Sequence, residues 1–174
     1  MINGLKIGVL VFVGAIVQLS MFESRDMIFG GSLDLLLVVL ICTALAQGAV
    51  VGAVAGFAAG LIVDIATLGT LGVTALLLTL AGYWAGRYGE TTGRGRAHAV
   101  PLAVAVITVL FAFGGLGLYY MLGEDVSAHQ ALITTLLPAI PLNVVAAWPV
   151  SRFCRRYLRP PVRPERAAEL ELGV

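Results

Sequence analysis

A stripe of glycines spaced four residues apart constrains this chain more than any other feature. Within the apolar segment 48–64, every fourth position is a glycine until the last, which is a carboxylate: Gly48, Gly52, Gly56, Gly60 and Asp64. Because residues four apart lie on the same side of a helix, one side of this segment is reduced to backbone. In a membrane, such a side lets a second helix approach closely enough for van der Waals contact to hold the pair together. We therefore expect a helix packed along its glycines, with an ionisable group at its end.

The composition indicates that this helix lies in a membrane. Of the 174 residues, 59% are hydrophobic and 12% are charged, and the mean hydropathy is +0.97. Soluble domains average about 45–50% apolar and about 25% charged residues. Because a membrane span takes about 20 residues, the chain has room for five or six spans and for no soluble catalytic domain. We predict an all-α integral membrane protein, a compact bundle of six transmembrane helices.

Apolar runs and turn residues divide the chain into six predicted spans. They are expected at about residues 5–22, 33–46, 48–65, 70–87, 100–122 and 132–153. The second and third spans meet at Gln47-Gly48 with no longer connection, so the two spans should form a tight pair of short helices. Prolines inside the sixth span should kink or break it. Residues 1–158 are then the membrane domain, and 159–174 are a tail with basic and acidic residues, expected to be disordered.

The distribution of arginine predicts the orientation. With six spans, every lysine and arginine except Arg25 falls on one side of the membrane. Cytoplasmic connections carry the excess of basic residues, so both termini should be cytoplasmic, together with the loop after the fourth span, residues 87–98. A five-span arrangement, with the N-terminus outside, is the alternative. Four arginines that follow the last span are expected to contact anionic lipid or a cytoplasmic partner: Arg152, Arg155, Arg156 and Arg159.

Two carboxylates at helix ends are candidate functional groups. Asp34, in the first predicted turn of the second span, suits the positive end of the helix dipole, and a ligand role is the alternative. Asp64, at the opposite end of its helix, opposes the dipole. It either latches the turn, by accepting hydrogen bonds from the first amides of the fourth span or from threonine hydroxyls, or it is offered to a partner or solute. Both alternatives stay open.

The fourth span carries its own pair of glycines, Gly82 and Gly86. In an antiparallel pair that turns near Thr67, Gly48 should lie near Gly86 and Gly52 near Gly82, and these glycines are the predicted packing residues. The outer end of the stripe, Gly60 and Asp64, lies beyond Gly82. We therefore expect that end to receive another helix.

Motifs for catalysis and metal binding are missing from the sequence. It has no H-E-x-x-H, G-x-S-x-G or P-loop pattern. His98 and His129 fall on opposite faces of the predicted membrane protein, and Cys42 and Cys154 fit neither a disulfide nor a metal motif. We expect no enzymatic activity, no cofactor, no metal and no nucleic-acid partner.

Several stretches of the chain resemble one known family. They are Leu33-Asp34-Leu35-Leu36-Leu37, the segment from Val51 to Asp64, Leu71-Gly72-Val73-Thr74 and Leu80-Ala81-Gly82-Tyr83. The chain resembles the MreD family of bacterial rod-shape-determining membrane proteins, most specifically between Leu33 and Arg87. It departs from the usual family pattern at Leu33, where members have proline, and at Gln47-Gly48-Ala49, where many have Arg-Gly-Pro.

The resemblance implies a function and a fold. The function is that of a non-enzymatic subunit of the cell-elongation machinery in the bacterial cytoplasmic membrane, bound to MreC and through it linked to peptidoglycan synthases and to MreB. The implied fold is similar to the six-helix substrate-binding subunits of energy-coupling-factor vitamin transporters. That similarity supplies the alternative function, a small-molecule-binding transporter subunit. Its cavity would need several polar groups, and beyond Asp34, Asp64, Gln18 and Asn143 the spans offer few.

Overall fold

The computed structural model describes residues 2–22, 34–68, 70–92, 99–123 and 136–158, and within these ranges it holds six helices and no strand. The helices are α1 (Ile2–Phe22), α2 (Leu35–Gln47), α3 (Ala49–Thr67), α4 (Val73–Thr92), α5 (Ala99–Met121) and α6 (Leu137–Tyr157). The all-α prediction is therefore confirmed. The tail 159–174 and the expected start of the last span near residue 132 lie outside the described residues, so the division into two regions stays a prediction.

Two helices of the described chain are clearly long and apolar enough to cross a membrane. These are Ala49–Thr67 and Val100–Met121, while Lys6–Gln18 and Leu35–Gln47 are shorter apolar segments. Length and hydropathy therefore support membrane crossing for two of the helices. The total of six spans stays a prediction.

Helix α2 is the centre of the bundle. It contacts each of the other five helices, and every residue from Leu36 to Leu45 is buried. A helix that is apolar on all sides can be buried in this way. Its 13 residues span only about 20 Å, less than the hydrocarbon core of about 30 Å. Helix α2 is therefore too short to cross such a core by itself.

Helices α3 and α4 run antiparallel and are joined by a turn in which Leu68 and Gly72 have positive φ angles, 51° and 97°. The structure corrects the sequence prediction at both ends of this pair. Gly48 (φ 109°) is not part of α3 but is the single non-helical residue between α2 and α3. At the other end, α4 continues to Thr92, so Arg87 lies in a helix and not in a loop; the rest of the predicted loop, residues 93–98, lies outside the described residues.

Helix α6 continues through its prolines. Pro141 and Pro149 lie inside a helix that the structure shows without interruption from Leu137 to Tyr157, so the helix does not break at these prolines, and a local kink stays a prediction. Pro138 lies in the first turn, where no backbone donor is needed. The contacts of α6 with α2 and α5 can hold a helix together where proline removes single hydrogen bonds.

Candidate functional site

Backbone contact joins α3 and α4 along the glycine stripe. The closest approaches are Gly52 with Gly82, Gly56 with Leu78, Gly60 with Ala75, and Gly86 with Gly48 and Ala49. A Cβ atom added at any of the glycines Gly52, Gly56, Gly60, Gly82 or Gly86 would come closer than 3.0 Å to backbone of the facing segment. Real Cβ atoms do not approach backbone so closely, so these positions admit only glycine unless the two helices separate.

The outer end of the stripe is occupied by α4. The Cα and amide nitrogen of Ala75 lie against Gly60, and Ala59 and Asp64 are buried beside them. The expectation that Gly60 and Asp64 receive a further helix is therefore wrong. Ala75 is small enough for the backbone of α4 to reach Gly60. The prediction failed because it assumed that α4 approaches α3 closely only where α4 itself has glycine.

Asp64 binds the start of α4. Its carboxylate accepts hydrogen bonds from the backbone amides of Gly72 (2.8 Å), Thr74 (3.2 Å) and Ala75 (3.2 Å). The first amides of a helix lack intrahelical acceptors, and a negative charge there is favoured by the helix dipole. These bonds are the arrangement that the latch hypothesis requires. Because Asp64 is only 2% exposed, it has almost no surface left for a partner.

A second carboxylate binds the opposite end of the same pair. Glu90, near the end of α4, accepts a hydrogen bond from the Ala49 amide at the start of α3 through Oε1 (2.9 Å). Its other oxygen lies 3.5 Å from Nη1 of Arg87. Each helix therefore carries, near its C-terminal end, a carboxylate that caps the N-terminus of the other. We call Asp64 and Glu90 the two carboxylate caps.

Glu90 was not predicted from the sequence, although the sequence carries a signal for it. Gly82, Gly86 and Glu90 repeat the spacing of Gly56, Gly60 and Asp64, so each stripe of glycines leads, in four-residue steps, to an acid. The apolar pattern fades near Arg87, and the predicted span therefore ended before Glu90.

Replacing Glu90 by alanine should lower the free energy of unfolding by about 1 kcal/mol, the usual cost of losing a helix cap. Arg87→Ala is the matched control, because it removes the exposed ion pair and leaves the cap in place, and should cost less than about 0.5 kcal/mol. Thermal unfolding of the purified proteins in detergent measures both. Equal losses in the two variants would mean that the ion pair, and not the cap, is what Glu90 contributes.

A polar cluster connects the N-terminal end of α2 to three other helices. Nε2 of Gln18 donates to Oδ1 of Asp34 (3.0 Å), and Oε1 of Gln18 accepts from the Leu36 amide (3.4 Å). Oδ1 of Asn143 accepts from the Asp34 amide (3.0 Å), while its Nδ2 donates to Oγ1 of Thr108 (3.3 Å). We call Gln18, Asp34, Thr108 and Asn143 the polar cluster. It holds α1, α5 and α6 to the start of α2.

The position of Asp34 differs from the expected one. It precedes α2 as its N-cap residue and makes no side-chain capping bond to its own helix; the Leu36 amide is bound by Gln18 instead. Asn143 is fully buried and Thr108 is 4% exposed, and each satisfies a polar group of the other. Thr108 was not predicted from the sequence, where its only signal is a hydroxyl inside an apolar run.

Two of the basic residues near the end of α6 lie on the surface of the bundle. Arg152 and Arg156 are exposed, and Arg155 belongs to the same helix. Arg159 lies outside the described residues. Nζ of Lys6, in α1, lies 5.4 Å from the centre of the Tyr157 ring, a cation–π contact that joins α1 to the end of α6.

No group of three or more histidine, cysteine or acidic residues in the described part of the chain could hold a metal ion. The two cysteines are buried between α2 and α6. Sγ of Cys42 lies 4.0 Å from the carbonyl oxygen of Ala147, and Sγ of Cys154 lies 4.0 Å from Oγ1 of Thr43. Both act there as small residues that fill space between helices.

Comparison with known proteins gives one match. A family model described as rod shape-determining protein MreD matches residues 2–160. That range includes all six helices, both carboxylate caps and the polar cluster. No curated protein and no solved structure matches the chain, and the expected likeness to energy-coupling-factor transporter subunits stays a prediction.

Proposed function

The chain belongs to the MreD family of rod shape-determining proteins, and from that premise we propose that it is a non-enzymatic membrane scaffold of the cell-elongation complex. Family membership supports a role in cell shape. The finer proposal is that the protein binds MreC and thereby supports lateral peptidoglycan synthesis and connects indirectly to MreB. The observation that carries it is the family match over nearly the whole chain.

The chemistry of the described residues is in keeping with a scaffold. Asp64 and Glu90 bind backbone amides of the chain itself, and Asn143 and Gln18 bind other members of the polar cluster. A protein that works by presenting a fixed surface needs its polar groups to hold its helices together, and these groups do so.

Recovery of MreC tests the proposal. The full-length protein, tagged and solubilised mildly from native membranes, should bring MreC with it, and cells depleted of the protein should become round. An equally abundant, unrelated multi-span protein with the same tag is the control. The alternative, a vitamin-type transporter subunit, takes its support from the polar cluster. It predicts recovery of transporter ATPase subunits in place of MreC, and that result would overturn the scaffold proposal.

We further propose that the protein crosses the bacterial cytoplasmic membrane six times with both termini inside. The family is one of bacterial membrane proteins, and the one-sided distribution of arginine supports the orientation.

Single cysteines test this topology. In a background without Cys42 and Cys154, a membrane-impermeant thiol reagent applied to intact cells should label cysteines placed at Ser24 and Ser127. Cysteines at Gly93 and Glu169 should label only after the cells are permeabilised, which is also the control for their reactivity. Labelling of either of these two in intact cells would contradict the arrangement.

A further inference from the structure

Two grooves on the outside of the bundle are both apolar, and each contains a tryptophan. The α5–α6 groove has a volume of about 510 Å³ and is lined by Val100 and Pro101 of α5 and by Val144, Ala147, Trp148 and Arg152 of α6, among others. The α4–α5 groove has a volume of about 220 Å³ and includes Trp84. All of its described lining residues are uncharged. The two grooves therefore differ in charge.

Charge in the α5–α6 groove is confined to one end. Val144 and Ala147 form an apolar wall, Trp148 follows with 74% of its surface exposed, and Arg152 lies one helical turn further along. This order, from aliphatic to aromatic to cationic, follows the change from hydrocarbon to headgroup across one leaflet of a bilayer.

We propose that the α5–α6 groove binds one anionic phospholipid. An acyl chain lies along Val144 and Trp148, and the phosphate lies at Arg152, the charged residue that lines the groove. The assignment rests on the membrane placement proposed above, and on charge complementarity for the choice of occupant. An apolar helix of a partner protein could cover the aliphatic wall but would leave the Arg152 guanidinium without an anion, whereas a phospholipid matches both parts of the groove.

The two tryptophans provide a matched test. A Trp84→Phe variant reports only on Trp148 and the α5–α6 groove, and a Trp148→Phe variant reports only on Trp84 and the uncharged groove. Each full-length variant is reconstituted in phosphatidylcholine vesicles that contain a low mole fraction of lipid brominated on its acyl chains. The brominated lipid is either phosphatidylglycerol or phosphatidylcholine, and quenching of tryptophan fluorescence measures its occupancy next to the ring.

Trp148 should be half-quenched at about fivefold lower mole fraction of brominated phosphatidylglycerol than of brominated phosphatidylcholine, the preference expected from one arginine near the membrane surface. Trp84 should show no such preference. Arg152→Gln should abolish the preference at Trp148, Arg152→Lys should keep it, and Arg87→Gln, the same loss of charge on α4, should leave it unchanged.

Equal quenching of Trp148 by the two lipids would overturn the proposal. So would a preference that survives Arg152→Gln, or one that Trp84 shows to the same degree, since enrichment around the whole protein would then explain it. The measurement needs no MreC, so its failure would leave the scaffold proposal intact, and a failure to recover MreC would leave the lipid site intact.

Discussion

Alanine at Gly56 should remove most of the folded protein from the membrane. The added Cβ would overlap the carbonyl group of Leu78 and approach the amide nitrogen of Thr79, and backbone atoms cannot rotate away as a side chain can. Overpacking of a close-packed core costs about 1–3 kcal/mol and sometimes more. We expect the upper end of that range or beyond, measured as membrane abundance and as thermal unfolding in detergent.

Gly8→Ala and Gly117→Ala are the matched controls for this change. Both glycines lie in helices, in α1 and α5, and a Cβ at either position meets no atom within 4 Å. Alanine there should be neutral or slightly stabilising, because it is the better helix former. If Gly56→Ala were as abundant and as stable as Gly117→Ala, the close contact of α3 with α4 would be contradicted.

Loss of the Asp64 carboxylate should have the second large effect. Asp64→Ala leaves the amides of Gly72, Thr74 and Ala75 without their acceptor at a buried site, and an unmade hydrogen bond of this kind costs about 1–3 kcal/mol. Asp64→Asn keeps one oxygen but turns a donor towards amides that are donors themselves. We expect both variants to lose abundance and thermal stability, with the alanine variant losing at least as much.

Thr67→Ala is the control for the alternative in which threonine hydroxyls form the latch. Oγ1 of Thr67 donates to the Val63 carbonyl (2.8 Å) at an exposed position and makes no contact with the Asp64 carboxylate among the bonds described above. This variant should resemble the wild type. A normal abundance of Asp64→Asn would contradict the latch, because the three amide bonds would then contribute nothing to folding.

The spacing of small residues predicted that α3 and α4 pack closely, but it did not predict how far along the helices this contact continues. The position of the turn near Thr67 places Gly52 opposite Gly82, since an antiparallel pair with a short turn has only one register. It does not tell how far the contact continues, because that depends on whether the facing residue is small, and Ala75 is. The cap at Glu90 was missed for a related reason: α4 extends five residues past the apolar pattern that ended the predicted span at Arg87.

Contacts between distant parts of the chain could not be predicted in this way. The polar cluster joins Gln18 to Asp34 and Asp34 to Asn143, and the latter two are 109 residues apart. No periodicity relates such positions, so their meeting depends on how the helices are arranged around α2. The uninterrupted apolar sequence of α2 is a signal for its central position, because it predicts burial on all sides. A short helix that faces lipid has the same apolar pattern, however, so the sequence does not distinguish the two.

The carboxylates of Asp64 and Glu90 bind backbone amides of the chain itself. The scaffold proposal therefore expects a partner to bind the folded shape of the protein and not these two groups. The most direct measurement is the amount of MreC recovered per folded molecule of the full-length protein from native membranes. It should be made side by side for the wild type, Gly117→Ala, Gly56→Ala and Asp64→Asn. We expect total MreC to fall with the amount of folded protein, while the ratio of MreC to folded protein stays at its wild-type value in every variant. Wild-type protein that recovers no MreC, or Asp64→Asn protein that keeps its abundance and loses MreC, would contradict a scaffold that acts through its folded shape.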